Sequence, residues 1–110
     1  MNVPVILFLT TLPDAASASA LAQAALEARL AACVTNLGTV SSQYHWKGVL
    51  ESSQEVQLLF KTSVARSDEL QRLIDEQHPY ETPEILVWQA DASPGYGQWV
   101  NEETQRPLHV

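Results

Sequence analysis

Hydrophobic and polar residues follow two different periods along this chain, and the two periods separate predicted strands from predicted helices. Residues 3–12 form a nearly unbroken apolar run, which is typical of a strand that is buried on both faces and central in its sheet. Apolar residues then recur at helical spacing from Ala15 to Ala31, and Asp14 stands where it can cap that helix. The first two elements are therefore a central strand and a helix that packs on the sheet.

The middle of the chain predicts a long β-hairpin. Residues 33–46 and 49–62 are two extended segments, and Lys47-Gly48 between them is a two-residue turn signal. At about 3.3 Å per residue each strand would be roughly 45 Å long, whereas a domain of this size is about 35 Å across. The hairpin is therefore expected to project beyond its own core, with bulges or bends at Ser41-Ser42 and Ser52-Ser53.

The remainder of the chain predicts a helix, a strand and a short final helix. The helix spans residues 66–77 with Ser67 or a neighbour as its cap, and the strand spans residues 85–90. A turn at Gly95-Tyr96-Gly97 precedes a helix from about residue 98 to residue 105. The order β-α-β-β-α-β, with helices on one face of an antiparallel sheet, predicts an α+β fold of the ferredoxin-like type, as one domain over residues 1–110.

The tip of the predicted hairpin indicates an oligomer. Tyr44, Trp46 and Val49 would lie at the far end of the two strands, where a single chain has little to bury them. Exposed sheet edges also invite strand pairing between subunits. We expect an obligate homo-oligomer whose interface includes these three residues.

Charge and composition narrow the classes of partner. The net charge is -7 and the chain has only six Lys and Arg, whereas nucleic-acid binding requires clustered basic residues, so no nucleic-acid partner is expected. No apolar run approaches the roughly eighteen residues of a membrane span, and no signal peptide is evident, so we expect a cytoplasmic protein without a membrane partner. Cys33 is the one cysteine, which excludes an internal disulfide and a multi-thiolate zinc site.

The segment from His78 to Glu84 is the main candidate for chemistry. It holds a histidine, a tyrosine and two carboxylates, and its two prolines stiffen the backbone that presents them. Histidine is the commonest metal ligand in proteins. The alternative is an ordinary helix-to-strand connection whose polar groups cap backbone atoms.

Six ordered segments of the chain resemble the CutA divalent-cation-tolerance proteins. They are Thr11-Leu12-Pro13-Asp14, Arg29-Leu30-Ala31-Ala32-Cys33-Val34, Ser42-Gln43-Tyr44-His45-Trp46-Lys47-Gly48, Glu55-Val56 with Lys61-Thr62, His78-Pro79-Tyr80-Glu81-Thr82-Pro83-Glu84, and the spaced pair Tyr96 and Trp99. The resemblance implies a ferredoxin-like subunit, a trimer formed by strand pairing between subunits, and a role in tolerance to copper and other divalent cations. It also implies kinship with the PII signalling trimers, which bind small ligands in clefts between subunits.

The resemblance also suggests metal ligands. Some members bind copper through a cysteine near the end of the first strand and two adjacent histidines before the Pro-Tyr. In this chain those positions fall at Thr10 and at Gln77-His78, so only His78 remains. We expect copper(II) or another divalent cation as the one cofactor, and no organic cofactor, with His78 as the first candidate ligand.

Three further residues are candidate metal ligands with weaker support from the sequence. Glu81 and Glu84 lie beside His78 in sequence and are accessory candidates. Cys33 could be a soft metal ligand, although a lone cysteine between Ala32 and Val34 is also typical of a small buried hydrophobic residue.

Lys61 interrupts an apolar strand and needs a partner. Glu55, Glu84 or a bound anion could supply it. In a structural ion pair Lys61 would have no functional role, whereas with a bound anion it would mark a binding site.

The favoured function is therefore a non-enzymatic trimeric protein that responds to divalent cations. His78 with Glu81 or Glu84 has the ingredients of a general base, but no nucleophile accompanies them, so catalysis is not expected. One alternative is a PII-like sensor that holds a small ligand near Lys61, Tyr80 and Glu84. Another is a trimeric scaffold for a partner protein. His45 beside the turn is expected to be solvated, and the near-terminal His109 to be disordered.

Overall fold

The predicted order of strands and helices is confirmed in the computed structural model, which describes residues 1–106. His109 lies outside the described residues. The strands are β1 (Val3–Leu12), β2 (Cys33–Trp46), β3 (Val49–Thr62) and β4 (Ile85–Ala92). The helices are α1 (Ala15–Glu27), α2 (Ser67–Gln77), which follows a 3-10 turn at Val64–Arg66, and α3 (Pro94–Glu103).

The four strands form one antiparallel sheet in the order β2-β3-β1-β4. The prediction that β1 is central is confirmed, because β1 pairs with both β3 and β4. Phe8 of β1, for example, lies opposite Phe60 on one side and Val87 on the other.

Helices α1 and α2 cover one face of this sheet. Alternate β1 residues such as Phe8 and Leu12 point into the core, together with Leu58 and Phe60 of β3. These side chains are almost completely buried against residues of α1 and α2 such as Leu21, Leu70 and Ile74. Asp14 caps α1 as predicted, because its carboxylate accepts the backbone N–H of Ser17 at 2.7 Å.

The opposite face of the sheet is covered at one end only, by α3. Gly97 packs on Val3 there, and Val5 and Val100 are buried. Farther along this face, Leu86 and Trp88 of β4 remain 49% and 42% exposed in the single chain.

The β2-β3 hairpin projects from the body of the protein as expected. Its turn is Lys47-Gly48, with φ angles of 51° and 81°, and the described chain measures 49 × 34 × 21 Å. The prediction of bulges at the serine pairs is wrong, since Ser42 pairs in register with Ser53. The irregularity lies instead between Asn36 and Gly38, where the Asn36 side chain accepts the Gly38 N–H at 2.8 Å.

Two helix boundaries differ from the sequence prediction. Helix α1 ends at Glu27 because Arg29 adopts a left-handed φ of 58°, and the N–H of Leu30 then donates to the Ala25 carbonyl in a helix-ending motif that glycine usually forms. The predicted turn at Gly95-Tyr96-Gly97 is wrong because these residues lie within α3, which begins with Pro94 in its first turn.

Helix α2 and strand β4 are close to their predicted bounds. The side chain of Ser67 does not cap α2 but donates to the Val64 carbonyl, in the turn that precedes the helix. Within the described chain, no helix combines the length and the apolar character that crossing a membrane requires.

Candidate functional site

A cleft of about 880 Å³ lies between the projecting hairpin and the loop of residues 79–84. We call it the hairpin cleft. Three aromatic side chains line it: Tyr44 and Trp46 from β2, and Tyr80 from the loop. Four carboxylates also line it: Glu51 and Glu55 from β3, and Glu81 and Glu84 from the loop.

Among residues 1–106, no Lys, Arg or His lines the hairpin cleft, so the charge of this lining is negative. The Lys47 ammonium in the hairpin turn lies at the margin of the cleft. Its Nζ lies 3.8 Å from Oε2 of Glu81 and 5.5 Å from the centre of the Trp46 ring. The cleft therefore combines aromatic faces with carboxylates, an arrangement that favours positively charged groups.

Tyr80 and Glu55 form a hydrogen bond in the cleft. The Tyr80 hydroxyl donates to Oε2 of Glu55 at 2.9 Å, and Glu55 is only 7% exposed. Burial raises the pKa of Tyr80. The adjacent Glu55 carboxylate raises this pKa further, because the negative charge of an ionised tyrosine would be repelled by the carboxylate. Tyr80 therefore remains a neutral hydrogen-bond donor.

His78 fastens the loop to the end of β1 and does not line the cleft. Its Nε2 lies 2.9 Å from the Thr11 carbonyl oxygen and 3.1 Å from the Thr10 hydroxyl, while Nδ1 accepts the N–H of Tyr80 at 3.2 Å. Because Nδ1 accepts, the ring is neutral and its proton is on Nε2, donated to Thr11. Burial lowers the pKa of His78, whereas the Thr11 hydrogen bond and the charges of Glu55 and Asp75 oppose that change.

The predicted metal ligands do not converge in the single chain. Across residues 1–106, no three His, Cys, Asp or Glu residues lie close enough to hold a metal ion. Both nitrogens of His78 are engaged, Glu81 and Glu84 line the cleft, and Cys33 lies at the other end of β3, opposite Lys61. The residues present in one chain thus do not fit a tight copper site, and the ligand set stays a prediction.

Lys61 lies beside Cys33 rather than in the cleft. Its ammonium donates to the Thr35 hydroxyl and lies 3.6 Å from the Cys33 sulfur. The predicted ion pair with Glu55 or Glu84 is wrong: no salt bridge of Lys61 occurs among the described residues. Lys61 and Glu55 are six positions apart on β3, which separates them by about 20 Å along the strand.

The other predicted residues are placed as follows. Tyr80 and Glu84 line the cleft together, without Lys61. Tyr44, Trp46 and Val49, the predicted interface residues, are 42%, 38% and 58% exposed in the single chain. Sequence reasoning missed Glu51 as a cleft residue, although the hairpin register that follows from the Lys47-Gly48 turn places it opposite Tyr44.

A four-stranded antiparallel sheet with two helices on one face defines this chain as a ferredoxin-like α+β protein. The chain belongs to the CutA1 divalent ion tolerance protein family, whose sequence profile matches residues 6–103. The resemblance noted in the sequence is thereby confirmed.

Individual relatives agree with this assignment. The divalent-cation tolerance protein CutA of Yersinia pestis is 46% identical over 97 residues, which are 87% of this chain and 82% of that protein. The solved structure of CutA from Synechococcus elongatus matches with a TM-score of 0.87 at 41% identity, over 93% of this chain and 91% of that one. CutA from Xylella fastidiosa matches with a TM-score of 0.86 at 39% identity, over 92% of this chain and 98% of that one.

Proposed function

We propose that this chain is a non-enzymatic, trimeric protein that acts in tolerance to divalent cations and binds copper(II) or a related ion. Membership of the CutA1 family supports the tolerance role. The observation that carries the proposal is the position of Glu81 and Glu84, which line the cleft from a loop stiffened by Pro79 and Pro83. No basic residue within 1–106 lines that cleft.

The trimer is supported by apolar surface that a single chain leaves open. Val49 and Leu50 at the hairpin tip are 58% and 69% exposed, and Leu86 and Trp88 of β4 are nearly half exposed. Apolar surface of this extent marks contact sites between proteins. Packing the hairpin of one copy on the open sheet face of another would bury both regions at once.

Metal binding is proposed to be weak and to need more than one chain. His78 could coordinate an ion only by giving up its hydrogen bond with Thr11 or with Tyr80. Tight copper sites gather several nitrogen or sulfur ligands, whereas the cleft of one chain offers carboxylates. Neighbouring subunits would have to complete the coordination.

Calorimetric titration of chelator-treated protein with copper(II) tests the metal proposal. We expect the double variant Glu81→Gln/Glu84→Gln to bind copper(II) about tenfold more weakly, a change of about 1.4 kcal/mol. The matched control is Glu76→Gln, since Glu76 is exposed on α2 and does not line the cleft. An absence of binding, or an equal loss in the control, would refute a copper role for these carboxylates.

Light scattering on matched valine variants tests the trimer proposal. Val49→Asp should produce monomers or a mixture, because it introduces a charge at the proposed interface. Val64→Asp should leave the trimer intact, since Val64 is similarly exposed, at 52%, but lies beyond the opposite end of β3. A monomeric wild-type protein, or identical behaviour of both variants, would contradict the proposed assembly.

The second candidate function is a sensor that holds a small ligand in the hairpin cleft. The observation that favours it is the cleft volume of about 880 Å³, which lies within the range of small-molecule sites. Tyr80 and Glu84 line the cleft as that hypothesis requires, but Lys61 lies elsewhere. A ligand in the cleft would therefore meet carboxylates rather than the Lys61 ammonium. Thermal-shift screening of metal-free protein tests this function, and absence of any stabilising small molecule would count against it.

A further inference from the structure

We infer that the hairpin cleft binds an organic cation, a molecule whose primary ammonium or guanidinium group contacts Glu55 and whose carbon chain lies along Trp46 and Tyr44. The inference rests on the second function proposed above, ligand binding in this cleft, and it names the chemical class of the ligand. Three features of the cleft lead to it, and they concern Glu55, the surrounding charge and the aromatic rings.

Glu55 is a buried carboxylate whose hydrogen bonding is incomplete. It is 7% exposed, and its Oε2 accepts the Tyr80 hydroxyl. Its Oε1 accepts no hydrogen bond from residues 1–106 and keeps some contact with solvent, and Glu55 is one of the residues that line the cleft. A carboxylate has acceptor positions for about four hydrogen bonds.

Glu55 also has no cationic partner among the described residues. Burying a charge without a counter-charge is unfavourable. A ligand with a charged N–H donor would supply both the missing hydrogen bond and the missing charge.

The negative charges around Glu55 favour a positively charged ligand. Glu51, Glu81 and Glu84 line the same cleft, and none of the lining residues in the described part of the chain is basic. A cleft lined by charges of one sign concentrates the opposite charge and repels its own. An anionic metabolite would therefore be disfavoured, and a cation favoured.

The aromatic rings give the cleft a surface for an organic cation in particular. Trp46, Tyr44 and Tyr80 line it, and ammonium or guanidinium groups are attracted to aromatic faces within about 6 Å. The chain itself provides an example, because the Lys47 ammonium lies 5.5 Å from the Trp46 ring centre and 3.8 Å from Glu81. Lys47 is exposed on a turn, so a ligand can displace it.

A bare metal ion fits the single-chain cleft less well. Hard divalent ions require several oxygen ligands at short distance, whereas no three acidic, histidine or cysteine residues converge within residues 1–106. An ammonium group needs only one or two acceptors and an aromatic face. The volume of about 880 Å³ also accommodates an extended molecule rather than a single ion.

The test is calorimetric titration of the full-length, chelator-treated protein with 1,4-diaminobutane and, separately, with agmatine, at constant ionic strength. The neutral match is 1,4-butanediol, which has the same carbon chain without charge. We expect saturable binding of both cations and no binding of the diol. Glu55→Gln keeps the side-chain volume and an acceptor for Tyr80, and should weaken binding at least tenfold. Glu76→Gln should leave it unchanged.

A second variant keeps the inference testable if Glu55→Gln unfolds. Glu51→Gln lies at an exposed position of the same cleft and should weaken diamine binding several-fold without loss of the fold. Equal heats for the diamine and the diol, or equal losses in Glu55→Gln and Glu76→Gln, would overturn the inference. Copper(II) binding without diamine binding would overturn it and leave the metal proposal standing. Binding of an anionic or neutral molecule in the cleft would overturn it and leave the sensor function standing.

Discussion

Gly97 of α3 lies directly against Val3 of β1. A Cβ atom at position 97 would come within 2.4 Å of the Val3 Cβ, a separation that real side chains essentially never show. The missing side chain therefore lets α3 approach the face of the sheet that α1 and α2 leave free. This close contact explains why a glycine lies inside a helix, where it otherwise lowers stability.

Gly97→Ala should destabilise the protein by about 1–3 kcal/mol, because the new methyl group overpacks the contact with Val3. Gly95→Ala in the same helix meets no atom within 4 Å and should raise stability, by up to about 1 kcal/mol from helix propensity. Urea denaturation of both variants measures the difference. Stabilisation by both substitutions would show that α3 does not depend on this contact.

The buried His78 should make the protein less stable in mild acid. Its folded-state pKa lies below the ordinary 6.5, so the unfolded chain binds a proton at a pH where the folded chain does not. The free energy of unfolding is therefore unaffected by this group at higher pH. It falls as the pH drops through about 6.5 toward the folded value, by at most about 1.4 kcal/mol per pH unit.

Denaturant titrations between pH 8 and pH 5, with chelator present, measure this loss. His78→Asn should be less stable than wild type at neutral pH but should decline less steeply in acid. His45→Asn, at the exposed hairpin tip, should follow the wild-type curve. A wild-type slope retained in His78→Asn would assign the acid sensitivity to other groups.

Tyr80→Phe should destabilise the protein by about 1–3 kcal/mol, because it removes the one hydrogen bond that the Glu55 carboxylate accepts from residues 1–106. Tyr44→Phe is the matched control, since the Tyr44 hydroxyl bonds Ser53 at an exposed position and its loss should change stability by less than about 0.5 kcal/mol. Thermal unfolding compares the two. Equal effects would mean that the burial of Glu55 does not matter energetically.

Lys47→Asn should stabilise the hairpin turn by up to about 1 kcal/mol. Lys47 has a φ of 51°, a left-handed conformation that asparagine tolerates better than lysine. Lys47→Gln removes the same charge without that preference and should not stabilise. Melting temperatures of the two variants decide the point, and a gain in both would indicate that loss of the charge is responsible.

Much of the fold could be predicted from the sequence because its signals are local. The alternating apolar pattern of residues 49–62 and the Lys47-Gly48 turn predict the hairpin and its register from the turn as far as Gly38, and the structure places β2 and β3 at the predicted bounds. The errors occur where local and tertiary preferences conflict. Arg29 takes the left-handed position that ends α1, and Gly97 is helical because α3 packs on Val3.

The candidate site, like the fold, could be predicted only in part from the sequence. Residues 78–84 stand out in the sequence because they combine two prolines with reactive side chains, and six of them, 79–84, line the cleft. The sequence favoured His78 as an open ligand, but the fold turns it toward Thr11 and occupies both ring nitrogens. Glu55 enters the site from β3, 25 positions before Tyr80, and no local pattern marks that contact.

The sequence by itself determined the order of elements, the length of the hairpin and the acidic character of the chain, because periodicity, turn residues and charge are properties of neighbouring residues. Only the tertiary structure decided that Lys61 faces Cys33 while Glu55 faces Tyr80. Six residues along a strand separate side chains by about 20 Å, whereas strand pairing and loop packing bring distant positions into contact. The chemistry of the cleft is therefore a consequence of how the sheet and the loop pack together.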